Sequence, residues 1–221
     1  MPPFLLLIMS VYIATPTFDG SVCGEYLHSI LQATATVTFQ LALIPGVHFV
    51  DTARDIAVAK FLKSKCEYLF FIDSDIGWKG DAISKLINHN KDIVGASYRV
   101  KNDIERYPVY LTEETEGPLI RAIGLPGGFV CIKRAVIEKM VQTVPTYQWV
   151  VDGEFTRIPA LFARIFMDDR LVSEDMVFGR RAMALGYQLW FDPDVTMSHI
   201  GSKAFIGNYK EYMNGNLSET S

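Results

Sequence analysis

Residues 68–72 read YLFFI, five consecutive side chains without charge, and Asp73, Ser74 and Asp75 follow at once. A strand with one wet face would alternate apolar and polar residues, so a continuous apolar run describes a strand covered on both faces. Strands of that kind belong to sheets wrapped by helices on either side. The run therefore constrains the chain to an α/β arrangement. It also delivers two carboxylates to its C-terminal end, the place where open α/β sheets put their ligands.

The surrounding sequence alternates in the same sense, as βαβ units do. LIMSVYIATPT reads as a first strand, GEYLHSILQATA as a helix and FQLALI as a second strand. DTARDIAVAKFLKS places Ala53, Ala57, Val58, Phe61 and Leu62 on one helical face, with Asp51 or Thr52 as N-cap. After YLFFI come a short helix in GDAISKLINHN, a buried strand in DIVGASYR, and a hairpin or excursion with a polar tip in RYPVYLTEETEGPLIRAIG. LPGGFVCIKRAVIEKMV runs from a Gly-Gly turn through a strand to a helix. Residues 143–170, with two prolines, read as a loop folded over something. SEDMVFGRRAMALG is a helix with Ser173 as N-cap, two acids in its first turn and Gly186 at its C-cap. YQLWFDP and VTMSHIG are expected to close the sheet. No internal repeat or linker interrupts this order, and one domain over residues 1–221 is expected.

Composition narrows the ligand. A net charge of −4 and a pI near 5.6 give no general attraction to nucleic acid or an anionic membrane, so an anionic ligand has to be held by a local arrangement. Cys23, Cys66 and Cys131 are odd in number and lack C-x-x-C spacing, which fits free thiols better than a zinc site or a disulfide framework. The apolar start, PPFLLLIMSVYIA, has no basic segment before it and is too short to span a bilayer. We therefore expect a first buried strand there, no signal peptide or transmembrane segment, and a soluble cytoplasmic protein.

On an extended segment Asp73 and Asp75 project to one side and Ser74 to the other. Two carboxylates that close repel each other unless a cation or a proton lies between them. Hard oxygen ligands suit Mg²⁺ or Mn²⁺, which complete their shells with water and a substrate's phosphates. The competing reading is a polar turn that caps the next helix.

The order of motifs resembles the metal-dependent, family-2-like glycosyltransferases of GT-A type. FFIDSDIGW matches their D-x-D strand end, TARDIAVAKFLKSKCEYLFFIDSD their Arg-bearing helix before it, LPGGFVCIKRAVIEKM their Gly-rich turn before a strand, and SEDMVFGRRAMALGYQLWFDPDV their acidic pair opening a helix. The resemblance covers roughly residues 8–201. It implies a mainly parallel, Rossmann-like central sheet flanked by helices, with a smaller antiparallel portion. It further implies transfer of a sugar from a nucleoside-diphosphate sugar to a hydroxyl of a glycan or glycoconjugate, with Mn²⁺ or Mg²⁺ as cofactor.

By the same resemblance Asp75 is a direct metal ligand, Asp73 a ligand or a partner of the ribose and water shell, and His199 the third ligand. Asp175 is the general base, which entails inversion at the anomeric carbon, and Glu174 a binder of the acceptor. Thr15, Pro16 and Thr17 would line the base pocket, and Asp19 would hydrogen-bond the base or ribose. Arg54 suits a diphosphate or the carboxylate cluster. Ser74 sits within the donor motif, and Gly127 and Gly128 would let backbone approach a sugar. Trp78 could stack on a sugar face or pack in the core, and Lys203 could reach a phosphate. Each has a plainer alternative: turn formation, helix-dipole complementation or solvated surface. The charges of KNDIER and SKAFIG read as solvated.

Two other enzymes share parts of this pattern. A haloacid-dehalogenase-like phosphatase also has an apolar strand before D-x-D, but Gly77 stands where it wants Thr or Val and FMDDR is a poor match for its later acidic motif. A sugar-1-phosphate nucleotidyltransferase needs a basic Gly-rich loop after the first strand, and ATPTFDG contains no Lys or Arg. A catalytically silent sugar-nucleotide-binding module is the third alternative, which the presence of Glu174 and Asp175 opposes.

Overall fold

The computed structural model describes residues 10–218. Residues 7–9, the beginning of the expected first strand, lie outside the described residues, as do the last three of the polar C-terminal stretch.

The elements follow in the order β1 (Ser10–Pro16), α1 (Gly24–Ala33), β2 (Thr38–Ile44), α2 (Val50–Lys63), β3 (Tyr68–Ile72), β4 (Ile76–Trp78), α3 (Ala82–Asn88) and β5 (Ile93–Gly95). The hairpin β6 (Tyr110–Glu116) and β7 (Leu119–Gly124) comes next, followed by β8 (Phe129–Lys133) and α4 (Arg134–Met140). Two further hairpins, β9 (Thr146–Val151) with β10 (Glu154–Pro159) and β11 (Ile165–Met167) with β12 (Arg170–Val172), precede α5 (Glu174–Ala184). The described chain closes with β13 (Leu189–Phe191), β14 (Met197–Ile200), β15 (Ala204–Gly207) and α6 (Tyr209–Ser218).

The central sheet has the order β2-β1-β3-β8-β5-β13-β7-β6. Parallel pairing joins β1 to β2 and β3, and β13 to β5. β8 runs antiparallel between β3 and β5, and β7 is antiparallel to β13 and β6. The antiparallel insertion of β8 has a physical consequence: its entry, the turn at Gly127 and Gly128, meets the exit of β3 at the same edge. Leu69, Phe70, Phe71 and Ile72 are fully buried, as the uncharged run requires. One face of the sheet is covered by α1 and α3, through Tyr26, Ile30, Ile83 and Leu86. The other is covered by α2, α4 and α5, through Ala57, Phe61, Ile137 and Phe178.

Four local expectations are corrected. α2 begins at Val50 with Phe49 at the N-cap, two or three residues earlier than expected, and neither Asp51 nor Thr52 caps it; the Asp51 carboxylate accepts from the Thr52 N–H instead. The strand read across DIVGASYR is only three residues long, because after Gly95 the chain turns out of the sheet. Residues 143–170 form hairpins rather than a loop: β9 pairs antiparallel with β10, from Thr146 opposite Pro159 to Val151 opposite Glu154, and β11 pairs with β12. β14 leaves the main sheet and builds a small antiparallel sheet with β4 and β15.

α5 matches its expected bounds. Ser173 holds the N-cap position, although its hydroxyl donates to the Asp175 carboxylate rather than accepting from the helix. At the other end Tyr187 N–H donates to Ala182 O and Gly186 N–H to Met183 O, with Gly186 at φ +87° just past the C-cap, Leu185. That is a Schellman closure, and it needs a residue free of the left-handed penalty. Among the described residues no helix is long and apolar enough to cross a membrane.

Candidate active site

Asp73, Ser74 and Asp75 lie in the tight turn between β3 and β4, with Ile76 N–H donating to Asp73 O at 3.1 Å. The turn is tied on three further sides: Asp73 N–H donates to Gly128 O, Cys23 N–H to Ser74 O, and Ile200 N–H to Asp75 O. Because the chain turns here instead of running extended, the two carboxylates do not share one partner. Asp73 faces α2, and Asp75 faces β14.

The Asp73 side is built around Arg54, which is 2% exposed. Its Nη2 donates to Asp73 Oδ1 at 3.1 Å, and Nη1 lies 3.6 Å from Glu174 Oε1. The guanidinium also stands over the rings of Phe71 and Phe162, at 5.7 and 6.0 Å. Burial works against its charge, but Asp73 and Glu174 outweigh that and hold it protonated. Burial also lifts the carboxyls of Asp73 and Glu174 above their usual range, with Arg54 opposing the rise in both.

The Gly-Gly turn is explained by this packing. A Cβ at Gly127 would fall on the Arg54 guanidinium, and one at Gly128 would lie 2.5 Å from Asp73 Oδ2 and 2.7 Å from the Tyr98 hydroxyl. Gly127 N–H donates to Asp175 Oδ2 at 3.3 Å, while Asp175 Oδ1 accepts from Ser173 Oγ at 2.5 Å and from Met176 N–H at 2.8 Å. Arg54, Asp73, Glu174, Asp175 and the two glycines thus meet in one place.

On the other side, Asp75 Oδ2 receives Lys101 Nζ at 2.5 Å and lies 3.5 Å from His199 Nε2. The His199 Nδ1 is 2.9 Å from the Arg99 carbonyl, which can only accept, so Nδ1 carries the proton. The other ring nitrogen, Nε2, faces the Asp75 carboxylate. Burial raises the Asp75 carboxyl, yet His199 and Lys101 outweigh burial and bring it down to about 2. Among the described residues no group of three or more His, Cys, Asp or Glu is placed to hold a metal ion. Asp75 and His199 are neighbours, and the Lys101 ammonium pairs with the same carboxylate oxygen.

Beside the turn lies a cleft of about 230 Å³, lined by Pro16, Thr17 and Phe18 after β1, by His48 and Ala53, and by residues 73–75. Thr17 is 4% exposed, and among the described residues its buried Oγ1 has no hydrogen-bond partner. Phe18 and His48 form a tilted ring pair 5.1 Å apart at this cleft.

Other candidates fall elsewhere. Thr15 is fully buried and bonded to the Tyr26 hydroxyl at 2.6 Å. Asp19 is solvent-exposed, and Ser21 N–H and Oγ hydrogen-bond it and lower its pKa. Trp78 packs between Tyr26 and Phe129 in the core, and Lys203 pairs with Asp103. Two participants had no signal in the sequence. Lys101 belongs to a stretch that reads as solvated surface. Tyr98, whose ring packs 4.7 Å from that of His199, reads as the end of a strand.

No family model and no curated protein sequence matches this chain. Among solved structures it is similar to A197 from STIV, with a TM-score of 0.59 at 19% identity over 90% of this chain and 95% of that one. It is also similar to GalNAc-T7 in a structure with UDP, GalNAc and Mn²⁺ (TM-score 0.49, 11% identity, 88% of this chain and 44% of that one). Staphylococcus aureus TarS gives a TM-score of 0.48 at 14% identity, over 90% of this chain and 36% of that one. The chain thus spans less than half the length of the latter two. Likeness at these identities is likeness of fold. The α/β layout expected from the motif order is the layout found, with flanking helices and small antiparallel sheets, although the central sheet is mixed rather than mainly parallel, because β8 and β7 run against their neighbours.

Proposed function

We propose that this protein transfers a sugar from a nucleoside-diphosphate donor to an acceptor hydroxyl, with a divalent cation held by Asp75 and His199. The observation that supports this most is the placement of His199. The Arg99 carbonyl accepts from Nδ1 and so turns Nε2 towards the Asp75 carboxylate, 3.5 Å away, and the two side chains together are suited to a shared cation. A carboxylate and an imidazole suit Mn²⁺ better than Mg²⁺. A cation held there would supply positive charge to the leaving diphosphate.

The protein's own groups do the rest. The cleft beside the turn takes the nucleoside, with the Phe18–His48 pair as a stacking surface. Arg54 anchors Asp73 and Glu174 and so fixes the β3–β4 turn against the start of α5. In this reading Asp73 acts on the site by position rather than as a metal ligand. Asp175, oriented by Gly127, Ser173 and Met176, accepts the proton of the attacking hydroxyl, which entails a single displacement with inversion. A phosphatase reading would need Asp73 as a free nucleophile, and the buried Arg54 claims that carboxylate.

A thermal-shift screen of UDP-, GDP-, CDP- and TDP-sugars with and without Mn²⁺ tests the proposal. At least one donor should raise the melting temperature only when Mn²⁺ is present, and Asp75→Asn should lose that effect. A donor shift of equal size without metal, or one that survives in Asp75→Asn, contradicts it.

A further inference from the structure

Among the described residues, Lys101 is a charged group at this site that the proposed reaction does not use. It stands on a strap, residues 97–109, that leaves the sheet after β5 and crosses over β14. The strap closes on itself through Val100 N–H to Arg106 O at 2.9 Å and Arg99 Nη2 to Asp103 O at 2.8 Å. It is pinned to the β14–β15 turn by the Lys203–Asp103 pair and to β14 by the His199–Arg99 bond. From there Lys101 extends past Gly201, where an added Cβ would lie 3.1 Å from its Cδ, and ends 2.5 Å from Asp75 Oδ2. The same oxygen faces His199 Nε2 at 3.5 Å.

A divalent ion at bonding distance from this carboxylate oxygen competes with the ammonium already paired to it. A small hard cation needs that oxygen at about 2.0–2.2 Å, and two positive centres on one oxygen repel strongly in a partly desolvated pocket. Either the ammonium or the ion can be there. Lys101 has a long flexible stem and is 35% exposed on its side chain, so it can leave without unpacking the core.

We propose, on the basis of the function proposed above, that Lys101 is a tethered competitor of the divalent cation. In the donor-free protein it neutralises Asp75, and ion binding requires it to withdraw. The site's affinity for free metal is thereby kept low, and the resting protein avoids an unpaired carboxylate.

Titration calorimetry with Mn²⁺ alone, without nucleotide, tests this on the full chain. Lys101→Met should bind Mn²⁺ at least tenfold more tightly than wild type, Lys101→Arg should stay within a few-fold of wild type, and Asp75→Asn should abolish binding in every background. Hydrogen exchange in residues 99–107 should rise in wild type when Mn²⁺ saturates the site. Equal affinity in wild type and Lys101→Met, both lost with Asp75→Asn, overturns the competition while leaving the metal site standing. Absence of Mn²⁺ binding from all of them overturns the metal reading and the competition together. Circular dichroism of Lys101→Met checks the fold, and a disordered Lys101→Met leaves Lys101→Gln to be read by the same criteria.

Discussion

Arg54 shows how a single buried charge can organise a surface site. Removing it leaves Asp73 and Glu174 facing each other without a counter-charge in a protein interior, a change that costs about 3–5 kcal/mol when a buried pair is broken. Arg54→Met should lower the unfolding free energy by that order in urea titrations. Gly127→Ala should do much the same, because the new methyl takes the space of the guanidinium. If Gly127→Ala is as stable as wild type, Arg54 is not seated as described. Asp175 is a different case, since its carboxylate organises a turn rather than a core. Asp175→Asn keeps the shape and removes the base, so kcat should fall about 10²–10⁴-fold with donor affinity unchanged. An unchanged kcat places the base elsewhere.

At the scale of elements, Asp55 joins α2 to the segment after β10. Its 1%-exposed carboxylate accepts from Leu161 N–H and Phe162 N–H at 2.9 Å each and from the Tyr147 hydroxyl at 3.0 Å. Burial nevertheless lifts it from 3.8 to about 6, against those three bonds. Between these two values the native state keeps a proton that the unfolded chain has released. The stability tied to Asp55 is therefore fully present below the unfolded pKa and is lost as pH rises through the folded one. The sign is opposite for Asp75, whose contribution is present above 3.8 and is lost as pH falls towards about 2. Urea titrations at several pH values should show a fall in stability between about pH 4 and 6, of up to about 3 kcal/mol, and Asp55→Asn should flatten it. An unchanged slope in Asp55→Asn assigns the pH dependence to another group.

The same segment marks where sequence reading stops. α5 could be placed from its acids, arginines and closing glycine, because helix ends are local chemistry. The hairpins in residues 143–170 could not, because Val150, Phe155, Phe166 and Leu171 are exposed apolar residues on short strands, which blur the alternation that identifies a strand. The partners of Asp73 and Asp75 were hidden for a related reason. A chain that turns after Ile72 sends the two carboxylates apart, and nothing in the residues themselves distinguishes that turn from an extended end. Lys101 lies 26 positions from Asp75 in sequence; only the path of the strap brings it there.

For the molecule as a whole, the sheet edge gathers the ends of β1 and β3, the entry of β8 and the start of α5, so that motifs far apart in sequence form one site. YLFFI dictated this much, since a strand buried on both faces needs helices on each and leaves its end as the open surface. What most directly tests the account is the magnetic environment of Mn²⁺ bound together with a nucleoside diphosphate. Electron spin-echo and double-resonance spectra should show coupling to an imidazole nitrogen and to phosphorus at once, and His199→Gln should lose the nitrogen coupling while keeping the phosphorus. Phosphorus coupling without nitrogen in the wild type, or a nitrogen signal that persists in His199→Gln, would contradict a cation shared between this protein and its donor.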